Sequence, residues 1–457
     1  MSMASLSMVA ASVQGRLRGP DRPFDAVSTD TRTLKAGELF IALRGERFDA
    51  ARFVAEAERL GAAGAVVEQR QPVALPQVEV DDTRRALGDL ARAWRQRFEL
   101  PVIGITGSNG KTTVRALTAA ILAADAADPE ELLATEGNLN NEIGLPLMVL
   151  RLRTRHRVAV FEMGASRAGD IDYLAGIAMP GIGVLTNAGP AHLAGFGDLA
   201  GVARAKGELI ERLPASGIAV LNRDDPYFDE WRQRAGERAV LSFGLQSGAD
   251  FHVSRLRREQ APAGECWRFT LHGPLGALPL RLPMAGQHNL RNALAAAAAA
   301  TAAGASAEAI VLGLADAANV AGRLRRLPAP GGAFVFDDSY NANPASVRAA
   351  IDFLASQPGE TWLVLGDMAE LGADSDALHR EIGAAARDAG ITRLFTVGAQ
   401  ASLAAEAFGA AADSFADAAA AAAGLPTPPA GSQVLVKGSR CMGLEAVVAA
   451  LTNREGG

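Results

Sequence analysis

The stretch Val102-Ile103-Gly104-Ile105-Thr106-Gly107-Ser108-Asn109-Gly110-Lys111-Thr112-Thr113 constrains this chain more than any other. Its apolar opening reads as a buried strand, and Val114 to Ala124 reads as a helix. A glycine-rich turn between a buried strand and a helix suits a parallel α/β sheet, and this turn ends in Gly-Lys-Thr, the chemistry of a phosphate cradle. Glycines let backbone N–H groups close on phosphate oxygens, and the following helix turns its positive end toward them. In such a loop Lys111 reaches the β/γ-phosphates and the Thr112 hydroxyl ligates Mg²⁺. Gly107, Ser108, Asn109, Gly110 and Thr113 complete the expected nucleotide contacts. The usual spacing asks for a glycine where Ile105 stands, so the loop is a variant.

A chain of 457 residues exceeds one ordinary core and predicts two or three domains. A formal charge of −6 disfavours a general nucleic-acid or anionic-membrane binder. With Cys266 and Cys441 as its only cysteines, the chain supports neither a disulfide framework nor a cysteine metal site. Met1 to Gln14 lacks a basic segment before its small and apolar residues, which argues against a signal peptide. The alanine-rich run Ala295 to Ala303 is too short to span a bilayer. A cytoplasmic address, where ATP is available, follows as an expectation.

Strand and helix patterns divide the chain into three α/β domains, set at 1–86, 87–318 and 319–457. The first alternates Leu39–Leu43 and Ala65–Val67 with a helical stretch at Ala51–Leu60. The second runs from Pro101 with strands at Val158–Glu162, Ile182–Thr186 and Gly217–Leu221, a β-rich insert at Phe251–Leu282, and alanine-dense helices at His288–Ala303 and Ala307–Ala317. This pattern predicts a mostly parallel sheet covered on both faces. The third repeats the alternation in a Rossmann-like series, with strands at Ala333–Phe336, Trp362–Leu365, Arg393–Val397 and Gln433–Val436.

Polar residues crowd the ends of these strands, where open parallel sheets bind ligands. In Thr135–Gly144, Asn138 and Asn141 are candidates for hydrogen bonding a polar substrate. Glu162 ends a strand where a carboxylate can reach an ion beside the phosphate loop. His192 follows a strand end and a tight turn, a candidate for a second Mg²⁺. Lys206 lies in a helix packed by Leu209, Ile210 and Leu213, and by itself reads as a surface charge. Gly322-Arg323, Asp337 to Pro344 and Lys437 to Arg440 form a last group, in which Asn343 can cap a helix beginning at Pro344.

Taken in order, these clusters resemble the Mur ligase family over nearly the whole chain. The strings carrying the likeness are TGSNGKTT, GNLNNEIGLP, FEMGAS, LTNAGPAHLAGFG, ARAKGELI, GQHNLRNALAA, AGRLRRL and VKGSRCMGLE. YNANPAS and LVLGDMAELG, with His379 after it, resemble the branch that adds D-alanyl-D-alanine to a muramoyl tripeptide. The DNPR-like string of the diamino-acid-adding branch is absent from the sequence. A folylpolyglutamate synthase is disfavoured by YNANP and by the first domain. A non-catalytic nucleotide switch would have no need of a second metal set.

The resemblance implies an ATP-dependent amide ligase acting through an acyl phosphate, on a tripeptide ending in meso-diaminopimelate or lysine. It implies two Mg²⁺ ions, the first on Thr112 and Glu162 and the second on His192 and a carbamylated Lys206. Lys111, Lys206, His192 and Arg323 would then be catalytic. Asn292, Arg323 and Asp338 would contact ATP, with Tyr340, Asn341 and Asn343 at the dipeptide and Lys437, Ser439 and Arg440 closing over the reacting groups. The first domain resembles a UDP-binding module through Ser28 to Arg32 and Gly37 to Asp49, although Ala50 and Ala51 replace the usual Gly and His. Ser28 and Arg32 are its expected substrate contacts. The implied partners are small molecules, without nucleic acid or membrane span, and the implied state is a monomer.

Overall fold

A computed structural model describes residues 2–45, 48–261, 264–316 and 322–453. The domain boundary set at 318/319 lies outside these residues, as do Glu46 and Arg47. Three sheets carry the architecture, and the chain is α/β throughout.

The central sheet is six-stranded and parallel, in the order Ala239–Phe243, Ile218–Asn222, Ile182–Leu185, Val102–Thr106, Val158–Glu162, Leu132–Ala134. Val102–Thr106 is buried along its length, as a strand covered by helices on both faces requires. Ile105 pairs with Glu162 on one side and Val184 on the other, while Thr106 pairs with Leu185. This register brings three adjacent carboxyl ends level with the phosphate loop, which is why Glu162 and the segment from Thr186 to His192 lie beside it.

One face of this sheet is covered by the helices Lys111–Asp125 and Gln287–Ala302 and by the antiparallel insert His252–Ala261, Gly264–Gly273 and Gly276–Leu282. Leu290 and all residues from Ala293 to Ala300 are completely buried. The alanines therefore do more than favour helix: their short side chains let this helix lie close to its neighbours. On the other face, Thr83–Arg95 packs Leu87, Leu90, Ala91 and Trp94 into a core shared with Leu145, Ile171 and Leu174. The Tyr173 hydroxyl lies directly over Gly88, 2.1 Å from where a Cβ would sit, so a larger residue there would turn that ring aside.

The first sheet has the order Arg16–Arg18, Gln77–Glu79, Gly64–Val67, Leu39–Ile41, Val27–Ser28 and is parallel except at its first pair. The third has the order Arg325–Pro328, Phe334–Asp337, Gln433–Lys437, Thr361–Gly366, Arg393–Val397, Ala412–Phe415, again parallel except at its first pair. Its carboxyl ends deliver Asp338, Lys437 and the segment after Gly366 toward the phosphate loop. Among the described residues no helix is long and apolar enough to cross a membrane.

Candidate active site

Two clefts meet at the phosphate loop between the second and third domains. The first, about 340 Å³, is lined by Ser108 to Thr112, the asparagines 138, 140 and 141, Glu162, His192, Arg323, Tyr340 to Asn343, Lys437 and Arg440. The second, about 330 Å³, opens between Thr113, Asn187, Asp225, His288, Asn292, Ala295, Arg323, Asp338 and Ala349. Asn109, Gly110, Arg323, Ser346 and Lys437 line both. A ligand laid across the loop can therefore present one end to each cleft.

Backbone conformation explains the loop's glycines. Gly107 and Gly110 have φ of +145° and +83°, and side chains at these positions would meet Thr186 Oγ1 at 1.9 Å and Asn292 Oδ1 at 2.4 Å. Gly110 directly precedes the helix that begins at Lys111, so the free N–H groups of its first turn face the clefts. Asn187 braces the loop by accepting from Ser108 N and Asn109 N, each at 3.0 Å. Ser108 Oγ bridges to Gly189 at 2.9 Å. Lys111 Nζ folds back onto the Gly107 carbonyl at 2.7 Å, and burial lowers its pKa, partly offset by Glu162.

Glu162 is the centre of the first cleft. Its Oε1 accepts from Asn140 Nδ2 at 2.7 Å and from Thr112 Oγ1 at 3.2 Å, and its backbone N–H donates to Thr135 Oγ1. Its Oε2 is buried without a hydrogen-bond partner. A buried carboxylate oxygen left open beside a threonine hydroxyl fits a hard cation, for which oxygen donors are suited. Among the described residues no three His, Cys, Asp or Glu side chains gather into a metal cluster. One carboxylate and one hydroxyl instead fit an ion whose remaining positions come from water and phosphate, the usual situation for Mg²⁺.

Lys206 is not the surface charge that its sequence position suggests. It is 2% exposed, its nearest acceptor is the Ala165 carbonyl at 3.5 Å, and Nζ lies 5.3 Å from the centre of the Phe196 ring. Burial and the nearby Lys111 bring its pKa down to about 7, so a large fraction of the amine is neutral at physiological pH. His192 is partly buried close by; burial, Lys206 and Lys111 push its pKa down and Glu370 pushes it up.

The third domain closes the site. Arg323 donates to Thr112 Oγ1 at 3.2 Å and lies 4.2 Å from the Tyr340 ring centre, with Arg440 at 5.6 Å from the same ring. Asn343 caps the helix Pro344–Ala355 by accepting from Ser346 N at 2.9 Å. Its Nδ2 also donates to Asn109 Oδ1 at 2.8 Å, joining the third domain to the phosphate loop. Lys437 pairs with Asp338 at 2.6 Å and donates to the Asn341 carbonyl.

Several expected residues have structural work of their own. Asn141 Oδ1 accepts from Gly144 N at 2.8 Å, and Asn292 Nδ2 donates to Asn289. Ser439 is buried, with Oγ accepting from Ala369 N. Ser28 and Arg32 line neither large cleft; Arg32 is paired with Asp30 and mostly exposed. Sequence reasoning missed Asn140, Thr135, Asn187, Asp225, His288 and Glu370 as site residues. Asn140 and Asn187 sat inside strings already singled out, but nothing local distinguishes a bracing asparagine from a ligand contact.

Comparison with known proteins gives the same family over each part of the chain. The Mur ligase middle domain matches residues 105–300, the Mur ligase glutamate ligase domain 322–440, and the Mur ligase family catalytic domain 23–95. A UDP-N-acetylmuramoyl-tripeptide–D-alanyl-D-alanine ligase of Escherichia coli (strain K12) is 43% identical over 99% of both chains. A crystal structure of MurF from Acinetobacter baumannii superposes with a TM-score of 0.90 at 36% identity, covering 98% of both chains. MurF of Thermotoga maritima in complex with ADP gives 0.81 at 28% identity, covering 93% of this chain and 96% of that one.

Proposed function

The chain belongs to the Mur ligase family, and we propose that it is the ATP-dependent ligase of that family that joins D-alanyl-D-alanine to UDP-N-acetylmuramoyl-tripeptide. The observation that carries this reading is the meeting of the phosphate loop with the segment Tyr340–Asn343, secured by the Asn343–Asn109 amide contact. The product is the UDP-muramoyl-pentapeptide used in peptidoglycan precursor synthesis. The enzyme acts in the cytoplasm as a monomer on small-molecule substrates.

A terminal carboxylate of the tripeptide attacks the γ-phosphorus of ATP, the β–γ bridging P–O bond breaks, and ADP leaves. The resulting acyl phosphate is attacked by the amine of D-alanyl-D-alanine. A tetrahedral intermediate collapses with loss of phosphate and the amine proton, leaving the new amide. Both steps bring anions together, so positioning and charge neutralisation are the main demands on the protein.

Gly107 to Thr113 wrap the β/γ-phosphates, with Lys111 and Arg323 supplying fixed positive charge. The second cleft takes the nucleoside, with Asp338 toward the ribose and Asn292 at the loop. The first cleft takes the tripeptide end and the dipeptide, with Asn138, Asn141, Tyr340, Asn341, Asn343 and Arg440 around them. Thr112 and Glu162 would hold one Mg²⁺, and His192 with carbamylated Lys206 a second; when bound, the ions neutralise phosphoryl oxygens. The neutral amine of Lys206 can add to CO₂ and lose a proton, which converts a buried amine held only by the Ala165 carbonyl into an anionic oxygen ligand. The domains divide near 86 and 318, and UDP belongs to the first.

Purified protein with ATP, Mg²⁺, UDP-N-acetylmuramoyl-tripeptide and D-alanyl-D-alanine is expected to release phosphate only when all four are present. Equal release without the dipeptide would overturn the ligase reading.

A further inference from the structure

The antiparallel insert of the second domain, His252–Ala261, Gly264–Gly273 and Gly276–Leu282, has no part in the reaction described so far. It covers the central sheet, and it also reaches the third domain. Arg258 pairs across the ladder with Trp267, which makes Glu265 its diagonal neighbour on the same face. The Glu265 side chain is 5% exposed, and its Oε2 lies 3.6 Å from Arg258 Nη1. The same Nη1 donates to Ser356 Oγ of the third domain at 3.2 Å. Glu265 Oε1 in turn accepts from the buried N–H of Gly286 at 3.1 Å.

Both ends of this run of contacts are helix ends. Gly286 directly precedes the helix Gln287–Ala302, and Ser356 closes the helix Pro344–Ala355. These two helices wall the second cleft, one with His288, Asn292 and Ala295, the other with Ala345, Ser346 and Ala349. Gly286 has φ of +81°, and a Cβ on it would lie 2.5 Å from the His288 ring, so His288 sits directly over the residue that Glu265 grips. Ala285, one residue earlier, belongs to the apolar cluster of the third domain, together with Val347 and Ile351 of the second helix. That helix starts at the phosphate loop, where Asn343 bonds Asn109. Its other end, about 18 Å away at 1.5 Å per residue over twelve residues, is held through Ser356. A rigid rod held at one end can swing about it; held at both, its face has one position.

We propose that Arg258 and Glu265 are positioning residues for the nucleoside: they tie together the two helices that wall the second cleft and so set its width. The proposal rests on the ligase reading only for the identity of the occupant. Glu265 is buried in the second domain, where a carboxylate needs a partner, so its charge fixes the direction of the Arg258 guanidinium. Arg258 is half-exposed and carries that direction outward to the Ser356 hydroxyl. Neither side chain lines the cleft, and both act through the helices that do.

Full-length enzyme is titrated with ADP and Mg²⁺ by calorimetry, and its ATP kinetics are measured, for Arg258→Ala, Ser356→Ala, the double variant and Arg258→Lys. Arg258→Ala should weaken ADP binding and raise KM for ATP about three- to tenfold, the fold-change of one net hydrogen bond. Its kcat should stay within about twofold, because Asn343 still ties the helix to the loop. Ser356→Ala should act in the same direction, and the double variant should bind no more weakly than Arg258→Ala, since both changes break one contact. Arg258→Lys, which keeps a cation beside Glu265, should recover most of the loss. A merely structural arginine would lower the thermal midpoint and leave ADP affinity and KM unmoved. Unchanged ADP affinity in Arg258→Ala, or fully additive losses in the double variant, overturns the proposal. An unsubstituted enzyme that binds ADP without ligating would sink the functional reading alone, and the ADP titrations would still decide the tie.

Discussion

Replacing Lys206 by methionine should stabilise the metal-free protein while abolishing turnover, and the gain should depend on pH in one direction only. Lys206 is 2% exposed, forms no ion pair with a carboxylate among the described residues, and has its pKa lowered from 10.5 to about 7, chiefly by burial and then by Lys111. At about 1.4 kcal/mol per tenfold change, that lowering corresponds to a cost of up to about 5 kcal/mol for folding with the lysine charged. Because the folded state binds the proton more weakly than the unfolded chain, the cost is fully present below pH 7. It declines as pH rises and vanishes above 10.5, where both states are neutral. Methionine fills a similar volume beside Phe196 without a charge. In urea denaturation without CO₂ or metal, Lys206→Met should exceed the unsubstituted protein most at pH 6, by roughly 2–5 kcal/mol. The difference should shrink steadily toward pH 10. A difference that is the same at both pH values would refute the argument, since an amine that titrates normally while folded carries no such dependence.

Gly110→Ala should lower ADP affinity by about tenfold or more in calorimetry, because φ of +83° costs an alanine roughly 1–2 kcal/mol and its Cβ would press on Asn292; affinity within twofold would remove that account of the loop. Asn343→Asp should keep the helix cap and hence the thermal midpoint, since aspartate caps as well as asparagine. It should lose turnover because the donor to Asn109 is gone; unchanged turnover would separate that amide contact from catalysis.

The legible parts of the fold were the ones with a one-sided physical cause. Strands buried on both faces, such as Val158–Glu162 and Arg393–Val397, announce themselves as apolar β-branched or aromatic runs. The edge strands Leu132–Ala134, Ala239–Phe243 and Ala412–Phe415 escaped notice, because an edge is partly wet and its composition is correspondingly mixed. In the site, Glu162 was legible as a carboxylate at a strand end and Asn343 as a helix cap, while the pairing of Glu162 with Thr112 came only from the resemblance. The burial of Lys206 was not legible, since its own helix shows only a polar residue among apolar ones. Resemblance suggested a role for it before the structure showed a buried amine with a lowered pKa. Arg258 was out of reach for another reason: its contact with Ser356 depends on how two domains meet, which no local pattern encodes.

The helix Gln287–Ala302 has a practical corollary. Ala295 forms part of the wall of the second cleft, while the same residue and its neighbours are enclosed by the sheet and by the helix that follows the phosphate loop. Larger side chains here would overpack the core and displace Asn292 from Gly110. An inhibitor seated against Ala295 would therefore meet a surface with few viable routes to resistance, because the substitutions that would exclude it also disturb the loop that must hold ATP.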